Sequence, residues 1–171
     1  ALRKLREAEG RAFEAGRQVA PGAAASREEQ ALQWVGCVLG VPLLGLSVHE
    51  ALQTGEHLCD LVNALKPGLV SRVTRDEAMR DMTDAKCAAK QRENLARFLD
   101  SLAFLGLKQY DRFAVPDLHE ARGLNAVVNT LVALGLHAGT LPGYHGPVLS
   151  FAPLAAAPAA APASAPSAAR P

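Results

Sequence analysis

The sequence predicts an all-α fold, a compact bundle of four main helices with shorter connecting helices. Three observations carry that prediction. Apolar residues recur at helical spacing in four runs, most clearly at Leu58, Leu61, Val62 and Leu65, which occupy i, i+3, i+4 and i+7 of one face. Two Ser-x-x-Glu signatures, Ser26 to Glu29 and Ser47 to Glu50, supply helix starts in which the hydroxyl accepts from the third amide and the carboxylate reaches back. Each run is then closed by glycine or proline: Gly40 with Pro42, Pro67 with Gly68, Gly106 and Gly135.

Residues 2–19 have helix-forming composition, but Leu2, Leu5, Phe13 and Val19 are too sparse to define a buried stripe, so an extension helix is the weakest of these expectations. Pro21 to Ala25 reads as a linker. The first main helix begins at Ser26 and presents Ala31, Leu32, Trp34, Val35, Val38 and Leu39 at helical spacing. Ser47 opens a short helix, and Thr54-Gly55 interrupts before the run ending at Leu65. Residues 69–84 mix charges with few apolar positions and predict a surface connection with at most short turns. Asp84 is expected to cap the longest helix, about 85–105, with Leu95, Phe98, Leu99, Leu102 and Leu105 inward. Pro116 limits residues 110–119 to short turns. Leu124, Val127, Val128, Leu131 and Leu134 form the last stripe, with Gly135 as its stop. The valines also suit a strand, but length and the 3.6 period favour helix.

The expected organisation is therefore a charged N-terminal extension and linker over residues 1–25, one helical domain over 26–138, and an Ala/Pro-rich tail over 139–171. Residues 153–171 are almost entirely Ala, Pro and Ser and lack the apolar content needed to offset the entropy of ordering, so disorder is expected there. A net charge of +1 lacks the basic footprint of a nucleic-acid binder. Cys37, Cys59 and Cys87 are odd in number and widely spaced, which fits buried thiols in a reducing compartment better than disulfides. The apolar run 34–48 is broken by Gly36, Gly40, Pro42 and Gly45 and falls short of the roughly 20 residues a membrane span needs. No apolar signal segment follows the start at Ala1, and a start without Met leaves open an upstream portion.

The search for chemistry finds no constellation. His49-Glu50 comes within one residue of a zinc-protease pattern, but Gln53 stands where a second imidazole would have to face the same metal. His57 and Cys59, two apart on a helix, point in different directions. Asp76 with Glu77, and Asp81 with Asp84, lie among basic residues, as on a solvated surface. No Gly-rich phosphate loop or Gly-x-Ser-x-Gly elbow occurs. No enzyme activity, cofactor, metal or small-molecule substrate is expected.

Four motifs then point to one family. Trp34, followed by Gly55, Leu58, Cys59, Leu61, Asn63, Leu65, Pro67 and Gly68, resembles the run D-G-x-x-L-C-x-L-I-N-x-L-x-P-G of calponin-homology domains, with Thr54 in place of the Asp. Lys90-Gln91-Arg92-Glu93-Asn94-Leu95 with Phe98-Leu99 is similar to K-Q-M-E-N-I-x-x-F-L of the calponin and transgelin type. Phe113, Asp117, Leu118, Glu120, Leu124, Val127, Thr130, Leu131, Ala133, Leu134 and Gly135 resemble the family's closing segment. The chain departs from the pattern with Arg92 for Met, Ala89 for Phe, Ala121 for Gly and Gly123 for Asn or Asp. Loss of buried apolar area at positions 89 and 92 is expected to loosen the long helix. The calponin-type C-terminal repeat is absent, and only residues 146–149 faintly resemble the Gly-Pro segment after transgelin-like domains.

The resemblance implies a divergent single copy of a cytoskeletal binding module, cytoplasmic and cytoskeleton-associated, with actin filaments as the expected partner. Tubulin in microtubules or cilia, or signalling proteins recruited by an adaptor, are the alternatives. Nucleic acid and membrane are not expected partners. Filament surfaces are polyanionic, which makes cations the candidate contacts: Lys86, Lys90, Arg92 and Arg97 at helical spacing on the long helix, and Arg3, Lys4, Arg6, Arg11 and Arg17 in the extension. The extension carries those 5 basic residues against the 3 acidic residues Glu7, Glu9 and Glu14, and is expected to act as an accessory element. Asp117 and Glu120 are expected to serve helix starts rather than a partner.

Overall fold

The computed structural model describes the backbone of Gln18 and Val19 and residues 26–149. Arg3, Lys4, Arg6, Arg11 and Arg17, and the Ala/Pro run 153–171, lie outside the described residues. Four main helices form the bundle: α1 (Arg27–Leu39), α3 (Glu56–Leu65), α5 (Asp84–Phe104) and α7 (Leu124–Ala138). Three short helices connect them, α2 (Val48–Leu52), α4 (Asp76–Met79) and α6 (Val115–His119), together with a 3-10 turn at Gln109–Asp111. The fold is all-α. Its one extended pairing among the described residues is parallel, β1 (Gln18–Val19) beside β2 (Val148–Leu149).

Both predicted capping boxes form. Ser26 Oγ accepts from Glu29 N at 3.2 Å while Glu29 Oε2 accepts from Ser26 N at 2.8 Å, and Ser47 with Glu50 repeats the arrangement at 3.2 and 3.0 Å. Gly40 ends α1 at φ 68°, a left-handed position that glycine takes at low cost. The long helix is capped one residue earlier than expected: Thr83 is the N-cap, and Asp84 lies in the first turn, where its carboxylate complements the helix dipole.

The stripes converge as expected. α3 packs on α5, and α1 packs on both α3 and α7, so that Trp34, Leu58, Leu61, Phe98, Leu102 and Leu131 are fully buried. Phe98 stacks on Phe113 with centroids 6.0 Å apart, tying the segment before α6 into the core. Asn63 clips the following loop by a reciprocal pair, its Nδ2 donating to Val70 O and its Oδ1 accepting from Val70 N, both at 2.9 Å.

Four expectations change. Gly135 does not stop the last helix, which runs on to Ala138. Gly135 is instead buried where the chain returns over it: a Cβ there would lie 2.7 Å from Leu149 Cβ and 3.2 Å from Trp34 Cδ2. Residues 139–149, grouped above with the tail, pack on the bundle. Leu149 is buried, and Pro147 O accepts from Trp34 Nε1 at 2.9 Å and from Tyr144 Oη at 2.7 Å. Ala89 and Arg92 are both exposed, so the Phe and Met absent there take nothing out of the core. Of the cysteines only Cys59 is buried, Cys87 being partly exposed and Cys37 exposed.

Candidate functional site

The cations of α5 do not form one patch. With about 100° of rotation per residue, Lys86, Lys90, Glu93 and Arg97 fall on one strip of the helix, whereas Arg92 lies about 120° around the axis from Lys86. Glu93 sits in the middle of that strip. Its Oε2 pairs with Lys90 Nζ at 2.8 Å and its Oε1 pairs with Arg97. Arg97 also donates to Arg72 O at 2.5 Å, which turns its guanidinium toward the 69–76 connection. The two cations hold the Glu93 carboxyl below its ordinary range, Lys90 through a hydrogen bond first and Arg97 through its charge. Two of the four cations thus have a carboxylate partner and face solvent with reduced net charge. Lys86 and Arg92 are exposed and form no ion pair among the described residues.

Arg92 points to a different neighbourhood. It lies near His119 at the end of α6, and His49 Nε2 of α2 approaches His119 O at 3.4 Å. Partial burial, and then the positive charge of Arg92, lower the His119 pKa from its usual value. The region therefore places one fixed cation, Arg92, near the side chains of His49 and His119.

The acidic residues of the motifs serve the fold. Asp117 Oδ2 accepts from Ala114 N at 2.7 Å at the start of α6, and Glu120 pairs with Arg122 at 2.6 Å. A Cβ at Gly123 would lie 2.7 Å from Asp117 Oδ1, so the carboxylate occupies the space a side chain at position 123 would need. Arg75 bridges Glu56 at 3.0 Å and Asp60 at 2.5 Å, pinning the 69–76 connection on α3. No group of three or more His, Cys, Asp or Glu that could hold a metal occurs among the described residues. Cys59 donates to Asn94 O at 3.3 Å, and burial pushes its thiol up to about 12, the reverse of what a nucleophile needs. No described helix is long and apolar enough to cross a membrane.

Sequence reasoning missed one surface. Phe104 and Tyr110 are 73% and 77% exposed at the end of the bundle where α5 stops and His137 of α7 passes. Phe104 lies outside the inward stripe of α5, and that offset was the available signal. The proximity of Tyr110 to Ala133 and His137 depends on tertiary packing and had no local signature.

Residues 25–140 match the family model described as the calponin homology (CH) domain. The chain is 33% identical over 124 residues to myophilin of Echinococcus granulosus, covering 72% of this chain and 61% of that protein. It is 32% identical over 122 residues to Rac guanine nucleotide exchange factor B of Dictyostelium discoideum, covering 71% of this chain but 9% of that protein. The chain thus spans less than two thirds of the length of these curated relatives. Among solved structures, the calponin-homology domain of an IQGAP protein from Schizosaccharomyces pombe superposes with a TM-score of 0.58 at 21% identity, covering 74% of each chain, which shows the shared fold.

Proposed function

The chain belongs to the calponin homology family, and from that premise we propose that it is an actin-filament-binding module that organises the actin cytoskeleton in the cytoplasm. The family is one of binding modules rather than catalysts, and the match over residues 25–140 is the observation that carries the reading. The surface is compatible with it. Lys86 and Arg92 are exposed cations without ion-pair partners among the described residues, able to steer encounter with an acidic filament, whereas Lys90 and Arg97 are committed to Glu93. The extension cations Arg3, Lys4, Arg6, Arg11 and Arg17 add to this attraction as an accessory element.

Co-sedimentation of the full chain with actin filaments, and separately with microtubules, across a salt series tests the reading. Binding to actin that weakens as salt rises, with little to microtubules, is the expected result. Preferential binding to microtubules transfers the function to tubulin. Binding to neither favours a signalling adaptor, a reading supported by the match to a segment of an exchange factor. A chain truncated to begin at Ser26 that sediments with actin as well as the full chain removes the role of the extension.

A further inference from the structure

We propose that the end of the bundle bordered by Phe104, Tyr110 and His137 docks an acidic amphipathic helix of a partner protein. Two of the five exposed large apolar side chains among the described residues, Phe104 and Tyr110, border adjoining hollows there, the others being Leu44 and Leu46 in the loop after α1 and Leu136 on α7. Grouped apolar exposure marks interaction surfaces, whereas scattered apolar residues do not. Two adjoining hollows of about 320 and 340 Å³ share Gly106 and His137, one bordered by Tyr110 and Lys108 and the other by Phe104 and Lys66.

The floor between them is already built. His137 Nε2 contacts Leu105 O at 2.8 Å, joining α7 to the end of α5, and Thr140 Oγ1 lies 3.2 Å from the other ring nitrogen. Gly106 turns the chain at φ 90°, and a Cβ there would lie 3.3 Å from His137 Nε2. A preformed floor spares a partner the cost of ordering it.

Charge selects the occupant. Lys66 and Lys108 are exposed and form no ion pair among the described residues, and Lys108 Nζ sits 5.6 Å from the centre of the Tyr110 ring. Asp111 is the one carboxylate bordering either hollow. Apolar anchors flanked by surplus cations fit a helix with an apolar stripe and acidic margins. A second copy of this chain would bring the same lysines and be repelled. The surface is also separate from the cations assigned to the filament: along α5, Phe104 lies about 18 Å from Arg92 and about 27 Å from Lys86 at 1.5 Å per residue.

The test uses the full chain labelled with 15N and a synthetic helical peptide with leucines at i, i+3, i+4 and i+7 flanked by glutamates. The expected result is amide shifts centred on Phe104, Gly106, Tyr110 and His137. Binding is expected to weaken at least about tenfold in Phe104→Ser and in the pair Lys66→Glu with Lys108→Glu. Both variants should keep the parent melting temperature and the parent actin co-sedimentation. The proposal is overturned by no binding of the glutamate peptide, or by equal binding of a lysine-flanked version. It is equally overturned by Phe104-dependent uptake on phosphatidylserine vesicles without peptide binding, by a dimer that Phe104→Ser dissolves, or by loss of actin binding in Phe104→Ser.

Discussion

Gly55 lies directly against Asn94: a Cβ at Gly55 would come within 2.7 Å of Asn94 Cβ and 3.0 Å of Leu95 N. That close approach lets the Asn94 amide reach two loops at once. Its Nδ2 donates to Thr54 O at 3.0 Å and Thr74 O at 2.8 Å, and its Oδ1 accepts from Thr74 N at 3.0 Å. Gly55 also has φ 70°, so Gly55→Ala combines a left-handed alanine with overpacking against backbone and should cost about 2–5 kcal/mol. Asn94→Ala leaves three backbone groups without their partner and should cost about 2–4 kcal/mol. Urea unfolding measures both. A loss under about 1 kcal/mol for either would show that the junction relaxes freely.

The return of the chain over Trp34 predicts a spectroscopic change. Trp34 is fully buried, and its indole N–H is held by Pro147 O beside the buried Leu149. Leu149→Ala should cost about 2–4 kcal/mol and shift the emission of the single tryptophan to the red as water reaches the ring. Gly135→Val should act in the same direction, since its side chain would displace Leu149. Unchanged emission and stability in both would mean that residues 146–149 do not cover Trp34 in solution.

Ala121 is the one non-glycine residue with positive φ among the described residues, at 54°. It stands where the resemblance places glycine. An alanine held there costs roughly 1–2 kcal/mol, partly offset by the larger unfolded-state entropy of glycine. Ala121→Gly should therefore raise stability by about 0.5–1 kcal/mol, read as a higher urea midpoint at unchanged m-value. A destabilised variant would contradict the strain at this turn.

Cys59 couples the α3–α5 contact to alkaline pH. Burial raises its thiol to about 12 from an ordinary 9.0, with Asp60 adding to the effect. A raised folded pKa means that the unfolded chain loses its proton first, so stability is fully present below pH 9.0 and is lost as pH rises toward 12. Half-buried Tyr144, pushed by burial to about 12 from 10.0, adds to the loss from pH 10 upward. Cys59→Ala should flatten the stability profile between pH 9 and 10, below the range where Tyr144 contributes. Under native conditions a thiol reagent should label exposed Cys37 fast, Cys87 more slowly and Cys59 only on unfolding. Early labelling of Cys59 would contradict its burial.

The helices were legible where the signal was local. Serines with glutamates three residues on, left-handed glycines and 3.6-residue stripes are decided within a turn or two, and each formed where the residues placed it. Gly135 was misjudged because its reason is tertiary: the glycine makes room for Leu149 and Trp34, residues remote in sequence, and no helix end needs it. Ala89 and Arg92 differ from expectation for a related reason, since the motif string alone does not say which of its positions face the core, and both are exposed here. Charge was the least legible. Helical spacing placed Lys86, Lys90 and Arg97 on one strip, but the same spacing put Glu93 among them, and only side-chain geometry shows that it takes two of the three as partners.

That division of the α5 cations yields the last prediction. Arg92 has no ion-pair partner among the described residues and is close enough to His119 to lower its pKa, so removing the charge has a readout independent of any partner. In Arg92→Gln the His119 pKa should rise, followed by the imidazole proton shift on titration. Because His119 is held below its ordinary value, the folded state resists protonation there. Stability is therefore present above pH 6.5 and falls as pH drops through the lowered pKa, less steeply in the variant. If Arg92 and Lys86 meet the filament, Arg92→Glu and Lys86→Glu should each weaken actin co-sedimentation several-fold and reduce its salt dependence. Lys90→Ala should change it little, since Glu93 already offsets that charge, and Glu93→Gln should strengthen binding by freeing Lys90 and Arg97. Weaker binding in Glu93→Gln would place the carboxylate itself at the contact and reverse the assignment.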